Sequence, residues 1–236
     1  MRVVSLVPSV TETLLAWGIT PVAVTRYCEQ PGLAAVGGTK DPDVAAIVAL
    51  GPDLVVVNDE ENRREDADAL RAEGLTLHVT SVHSVADVAP CLAALAAAVA
   101  ASPMAPAVRF VSPQGDEAHR RRAGATARRA FVPIWRRPWM TMNADTYGSS
   151  VLAALGVVNV FGPDPDRYPT VTLDAAADHR PDVVLAPSEP YPFRARHVEE
   201  LRAVAPHVRL VDGQDLFWWG VRTPAALERL AQSIAE

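Results

Sequence analysis

The sequence predicts an α/β protein built as two similar lobes with parallel sheets, and three observations predict it. The first is an internal repeat. Residues 3–82 run apolar strand, helix ending in Gly, Val-rich strand, acidic cluster, helix, strand, and residues 131–212 follow the same order. The segment Thr11 to Gly18 answers to Gly148 to Gly156, and Asp43 to Glu60 answers to Leu173 to Glu189. The second is strand type: the runs at Leu54–Val57 and Val183–Ala186 are continuously apolar, as parallel strands buried on both faces are. The third is the alternation of strand with helix, which puts helices on both faces of a parallel sheet. Two lobes make a cleft, and ligands favour such clefts. A chain of 236 residues, 49% hydrophobic, supplies a core for each lobe. The division expected is an N-terminal lobe over residues 1–83, a helical linker over 84–130 and a C-terminal lobe over 131–236.

In the first lobe a short buried strand is expected at Val3–Val7, stopped by Pro8. Ser9 or Thr11 is the expected cap of a helix that ends at Gly18. Strands are expected at Pro21–Thr25, Leu54–Val57 and Leu75–Val79, with helices from Asp43 to Leu50 and from Arg63 to Glu73. In the linker, Ser84-Val85-Ala86-Asp87 resembles a capping box before an Ala-rich helix, with Pro90 in its first turns or kinking it. A second helical stretch after Pro106, a break at Ser112 to Gly115 and a helix from Asp116 to Arg122 follow. The second lobe is expected to open with a strand from Phe131 to Trp135. Helices from Tyr147 to Leu155 and from Arg194 to Val204, strands at Val183–Ala186 and Val208–Val211, and a closing helix from Pro224 capped by Thr223 complete it.

The net charge of −6 argues against a general nucleic-acid binder. Lys40 is the only Lys. No run reaches the ~18 apolar residues of a membrane span, so the chain is not expected to be membrane-embedded. Arg2 is followed at once by a strand, without a secretory signal. That reads as a cytoplasmic protein, or as a periplasmic or extracytoplasmic one if the chain is trimmed.

Ligands of parallel sheets sit at the carboxyl ends of the strands. There the aromatic residues collect, and their broad apolar faces suit a large, flat ligand. The candidate ligand-binding residues are Tyr27, Glu61, Trp135, Trp139, Asp145, Tyr147, Glu189, Tyr191, Phe193, Trp218 and Trp219. Of the Trp218-Trp219 pair, one ring is expected to pack inward and one to face the cleft, while Trp17 reads as core. Glu60 reads as a helix N-terminal acid and Glu61 as a cleft residue. No phosphate loop, HExxH, CxxC or GxSxG is present. Gly37-Gly38-Thr39-Lys40 reads as a tight loop. No metal site is expected: His179, His197 and His207 fall on helix or loop surfaces, and Cys28 is either a ligand or a small core residue.

The chain resembles the helical-backbone metal-receptor superfamily, the substrate-binding proteins of ABC importers for cobalamin, haem and iron–siderophore complexes, and within it the cobalamin-binding branch. The resemblance rests on Val3 to Glu12, on Asp41 to Val55, on Trp139 to Tyr147 and on Arg180 to Val184. It implies two Rossmann-like lobes joined by a long helix, with the ligand between them. Pro113 and Gly115 interrupt the bridging helix, and the export signal of the family is missing. The resemblance also implies docking to a permease through one acid per lobe, for which the outer helices offer Glu65 with Asp68 and Glu199 with Glu200.

Three functions compete. The first is a non-catalytic binding protein for a corrinoid or other metal chelate, with no built-in cofactor; the absence of a catalytic constellation favours it. The second is an intracellular enzyme or chaperone acting on a tetrapyrrole or metal complex, for which Glu61, Asp145 and Glu189 are the titratable candidates. The third is a degenerate relative with no small ligand.

Overall fold

The computed structural model describes residues 1–99 and 127–235. They form two compact units, one of Met1–Val82 with the helix residues from Ala86 on, the other of His83–Val85 with the residues from 127 on. In the first unit, β1 (Val3–Ser5), β2 (Ala23–Val24), β3 (Ala34–Ala35), β4 (Leu54–Asn58) and β5 (Leu77–Thr80) form one sheet in the order β3-β2-β1-β4-β5. All its pairings are parallel. The five residues of β4 are all buried, because helices cover both faces of a central parallel strand. Val4, Leu6, Ala23, Ile47, Val55, Val57 and Leu70 make the core between sheet and helices.

In the second unit β6 (Arg128–Phe131), β9 (Val157–Asn159), β11 (Val183–Pro187) and β12 (His207–Val211) form a parallel sheet in the order β12-β11-β6-β9. Matched to the repeat, this is the order of β5, β4, β1 and β2. Phe131, Phe161, Val184, Ala186, Phe193 and Leu201 fill its core. A second, antiparallel sheet of β7 (Trp135–Arg136), β8 (Trp139–Met140) and β10 (Thr170–Val171) has no counterpart among the described residues of the first unit.

The repeat extends to single hydrogen bonds at the amino ends of the sheets. The Asp53 carboxylate accepts the backbone N–H of Arg2 at 2.6 Å, and the Arg2 guanidinium donates to the Leu50 carbonyl at 2.8 Å. In the second unit Asp182 accepts the N–H of Arg129 at 2.7 Å, and Arg129 donates to the His179 carbonyl at 2.8 Å. Each arginine thus caps the helix that leads into the central strand, while each aspartate joins that strand to its neighbour. The register is also repeated, Val3 opposite Leu54 and Ala130 opposite Val183. Gly51 ends the helix Val44–Leu50 with φ +55°, and its counterpart Arg180 has φ +50°.

Several elements differ from the expected ones. The first helix, Pro8–Ala16, is entered from Val7 with Pro8 in its first turn, and neither Ser9 nor Thr11 caps it. Thr11 instead donates to the Ser5 hydroxyl at 2.9 Å and the Val7 carbonyl at 3.1 Å. The first strand of the second unit starts at Arg128 and ends at Phe131, and Trp135 opens the hairpin. A single helix from Arg194 to Val204 does not form; the segment makes a 3₁₀ turn at Ala195–His197 and a short helix at Val198–Leu201. Thr223 lies in the first turn of the closing helix Thr223–Ala235, not ahead of it. The linker helix runs Val85–Val99 with Pro90 inside it. The helical stretch after Pro106, the break at Ser112 to Gly115 and the helix from Asp116 to Arg122 lie outside the described residues.

Left-handed backbone costs a residue with a Cβ about 1–2 kcal/mol, against which glycine loses about 0.4–1 kcal/mol of unfolded-chain entropy. Arg180→Gly is therefore expected to raise unfolding free energy by about 0.5–1 kcal/mol, and Gly51→Ala to lower it by a similar amount. Urea titration of both variants checks this; equal loss in both would refute the strain argument.

Candidate functional site

In both units the strand order reverses beside the first strand, between β1 and β4 and between β6 and β11. Ligand sites of open α/β sheets form at the carboxyl ends there. In the first unit two asparagines shape this end. Asn58 accepts the N–H groups of Glu60 at 2.9 Å and Glu61 at 3.1 Å on its side-chain oxygen. Asn62 accepts the Asn58 N–H at 2.8 Å and donates to the Thr39 carbonyl at 2.9 Å and the Leu6 carbonyl at 3.3 Å. Both are buried, so these bonds fix the loop after β4 to the end of β1. Lys40 donates to the Glu60 carbonyl at 2.7 Å. Its loop is a tight turn, as expected: Gly37 bridges Pro42, and a Cβ on Gly37 would stand 2.4 Å from the Asp41 carbonyl oxygen. Tyr27 is 52% exposed, with the Arg26 guanidinium 5.0 Å from its ring centre and bonded to both Asp41 oxygens at 2.9 Å. Glu61 is half-buried. Cys28 is buried, with the Thr11 and Thr25 hydroxyls each 3.2 Å from its sulfur, which places it in the packed interior.

The second unit brings four of the expected residues together. After β6 the chain turns into the β7–β8 hairpin, tied back where the Thr141 hydroxyl donates to the Val132 carbonyl at 2.7 Å. Trp139 stacks on Phe193 with ring centres 5.9 Å apart and planes 6° from parallel. Tyr191 packs against Phe193 at 4.8 Å, and Trp135 meets Tyr191 edge-on at 5.7 Å. Phe193 is buried in the unit's core, whereas Trp135 stays 43% exposed at the open side of the cluster. Arg136 lies 6.0 Å from the Trp139 ring centre and forms a 2.9 Å ion pair with Glu200.

Sequence reasoning missed two members of this cluster. His197 is buried, not on a surface as expected, and its ring stands 5.6 Å from Tyr191 and 5.7 Å from Phe193. Burial, then the charges of Arg196 and Arg136, lower its pKa, so the imidazole is neutral at pH 7. Glu200, expected on an outer face, points to Arg136. The histidine spacing carried no signal of burial, and the Arg136–Glu200 contact spans 64 positions of sequence.

The remaining candidates serve other contacts. Asp145 is exposed and paired with Arg167, whose hydrogen bond and charge hold its carboxyl below the usual range. An acid so held is a poor proton donor at neutral pH. Glu189 is half-buried against Gly213, where a Cβ would stand 2.5 Å from the Glu189 nitrogen. Trp219 is buried and Trp218 half-buried under the Arg222 guanidinium at 5.1 Å, so one ring of the pair packs inward. Trp17 is buried. Tyr147 is buried too, its hydroxyl 2.9 Å from that of Thr223, and has no open face to offer a ligand. Among the described residues no group of three or more His, Cys, Asp or Glu could hold a metal ion, and no helix is long and apolar enough to cross a membrane.

The chain matches the periplasmic binding protein family over residues 3–205 and belongs to that family. The vitamin B12-binding protein of Salmonella choleraesuis is 27% identical over 191 residues, covering 78% of this chain and 71% of that protein. Among solved structures, the periplasmic vitamin B12 binding protein BtuF of Vibrio cholerae superposes with a TM-score of 0.80 at 21% identity, over 99% of this chain and 96% of that one. The periplasmic haem binding protein HutB of Vibrio cholerae superposes with a TM-score of 0.81 at 20% identity, over 100% of this chain and 99% of that one. These likenesses show the fold. The expected cytoplasmic location finds no support in them, since both of these binding proteins are periplasmic.

Burial is the main cause that pushes the Tyr147 hydroxyl up to about 12. The unfolded phenol ionises near 10. Since the folded pKa is the higher, this stabilisation is complete below pH 10 and lost as pH rises towards 12. The difference in unfolding free energy between the natural chain and Tyr147→Phe is expected to fall by about 1.4 kcal/mol per pH unit in that window. Urea titrations from pH 9 to 11.5 check it; a constant difference would mean the phenol ionises freely.

Proposed function

We propose that this chain is a non-catalytic solute-binding protein whose ligand is a corrinoid or another metal chelate, received on the aromatic end of its second unit. The observation that carries the reading is Trp135. It is an indole 43% exposed at a strand-order reversal, braced edge-on by Tyr191 over the Trp139–Phe193 stack. An aromatic face held rigid by packing loses little entropy on binding and offers a broad apolar surface to a flat ligand. The relatives named for vitamin B12 and haem support a macrocyclic metal complex. The metal travels with the ligand as cargo, so the chain needs no cofactor of its own. Catalysis is the weaker reading, since Asp145 is committed to Arg167. The periplasmic relatives support a working compartment outside the cytoplasmic membrane.

A permease of the ABC type is the proposed partner. Of the acids expected to meet it, Asp68 pairs with Arg71 on its own helix and Glu200 with Arg136. Glu65, exposed in the first turn of the helix Arg64–Ala72, and Glu199, its side chain 84% exposed though paired with Arg202, are the better placed two.

Incubation with cobalamin, haem or a ferric siderophore, followed by gel filtration, is expected to leave visible absorption with the protein for one of them. Truncating a stacking aromatic costs roughly 1–3 kcal/mol, so Trp135→Ala is expected to weaken that ligand about tenfold or more. Unchanged affinity would remove the aromatic face from the site. Charge reversal at Glu65 and Glu199 together is expected to abolish pull-down of a co-expressed permease at low salt and leave ligand affinity intact. Persistent pull-down would exclude these acids as the docking points.

A further inference from the structure

We infer that His197 is the positioning residue of the aromatic platform, and that protonation of its ring unlocks the platform. This rests on the binding reading above for the platform's use, whereas the lock is a property of the chain without ligand.

Arg194, Ala195 and Arg196 are exposed, and His197 at the end of their turn is buried. Its ring is held from both sides. The Arg194 N–H donates to Nδ1 at 3.0 Å, and the His197 N–H donates back to the Arg194 carbonyl at 2.8 Å. The Arg196 Nε–H points to Nε2 at 3.2 Å. So placed, the ring backs Tyr191 at 5.6 Å and Phe193 at 5.7 Å, the two rings against which Trp135 and Trp139 pack. The orientation of Trp135 thus passes through Tyr191 to His197.

A neutral imidazole keeps one nitrogen as an acceptor, and a protonated one keeps none. Here a donor faces each nitrogen. The neutral ring satisfies Arg194, whereas a protonated ring would satisfy neither donor and would set its own N–H groups against both. The surrounding charges oppose the proton as well. Arg194 and Arg196 face the ring from its own turn and Arg136 from the hairpin, while Glu200 of the helix Val198–Leu201 is paired with Arg136 at 2.9 Å. Burial first, and then the arginines, lower the pKa. Protonation therefore requires the Arg194 bond to break and the ring to leave its place, which removes the backing of Tyr191 and Phe193. A free imidazole titrates near 6.5. Because the closed form has the lower pKa, the lock is complete above about pH 6.5 and weakens as pH falls below it.

Amide hydrogen exchange of the full chain without ligand, followed by NMR from pH 8 to 5 and corrected for the intrinsic rate, tests this. The opening constants at Arg194 and Phe193 are expected to be level above pH 7 and to rise by up to about tenfold per pH unit below about 6.5. The amides of β4 and β11 are expected to show no such rise, which separates local opening from general unfolding. In His197→Gln the side-chain oxygen can still accept the Arg194 N–H and nothing titrates, so its profile is expected to stay level, with folding checked by circular dichroism. A level profile in the natural chain, the same rise in His197→Gln, or a rise shared by β4 and β11 would overturn the lock and leave the binding reading standing. Failure of the chelates to bind would overturn the binding reading without moving these profiles.

Discussion

The structure depends on one small device used twice, an aspartate that receives the backbone N–H at the start of the first strand and an arginine that caps the helix before the central strand. Asp53 with Arg2 and Asp182 with Arg129 hold the same register in two sheets. A one-residue slip of a buried parallel strand would put its side chains on the wrong faces, so a bond that sets the register sets the core. It also sets the far end of the sheet. With Val3 opposite Leu54, the segments after Ser5 and after Asn58 emerge side by side, and Asn62 can bond to the Leu6 carbonyl. With Ala130 opposite Val183, the hairpin and the Tyr191 loop emerge together, and Trp135 can meet Tyr191.

What the two units build on this shared base is different. The first closes its end with buried amides, Asn58 and Asn62, that satisfy loop backbone groups. Its exposed ring is Tyr27, with Arg26 beside it and committed to Asp41. The second closes its end with stacked rings and leaves one of them, Trp135, facing water. The amides make a rigid polar rim, whereas the rings make an apolar platform.

The fold was largely legible because burial imposes patterns. The runs at Leu54–Val57 and Val183–Ala186 are short and rich in Val, which marks them as central strands, and the glycines closing the repeated helices marked their ends. Arg180 shows the limit: only the repeat, which sets it against Gly51, reveals a left-handed residue there. The hairpin escaped because the second copy carries an insertion that the repeat cannot describe. The site was legible as a list of residues at strand ends but not as a geometry. Tyr147 and Phe193 looked like ligand residues and are packed inside. His197 and Glu200 looked like surface residues, yet His197 packs against Tyr191 and Phe193, and Glu200 pairs with Arg136 of the hairpin. Stacking and ion pairing between distant segments leave no periodicity to read.

The insertion has a consequence for how such a protein changes. In the first unit β1 passes directly into its helix at Pro8, while in the second the chain from Val132 to Thr146 lies between β6 and its helix. That stretch leaves and rejoins the scaffold above the register bonds, and the exposed Trp135 rides on it. The bonds that set the register and the ring proposed to meet the ligand thereby lie on separate segments. Exposed positions of the stretch, such as Trp135 and Arg137, can vary at little cost to the core, whereas Val132, Thr141 and Met142 beside them are buried and cannot. The chain behaves as a fixed handle with an exchangeable bit.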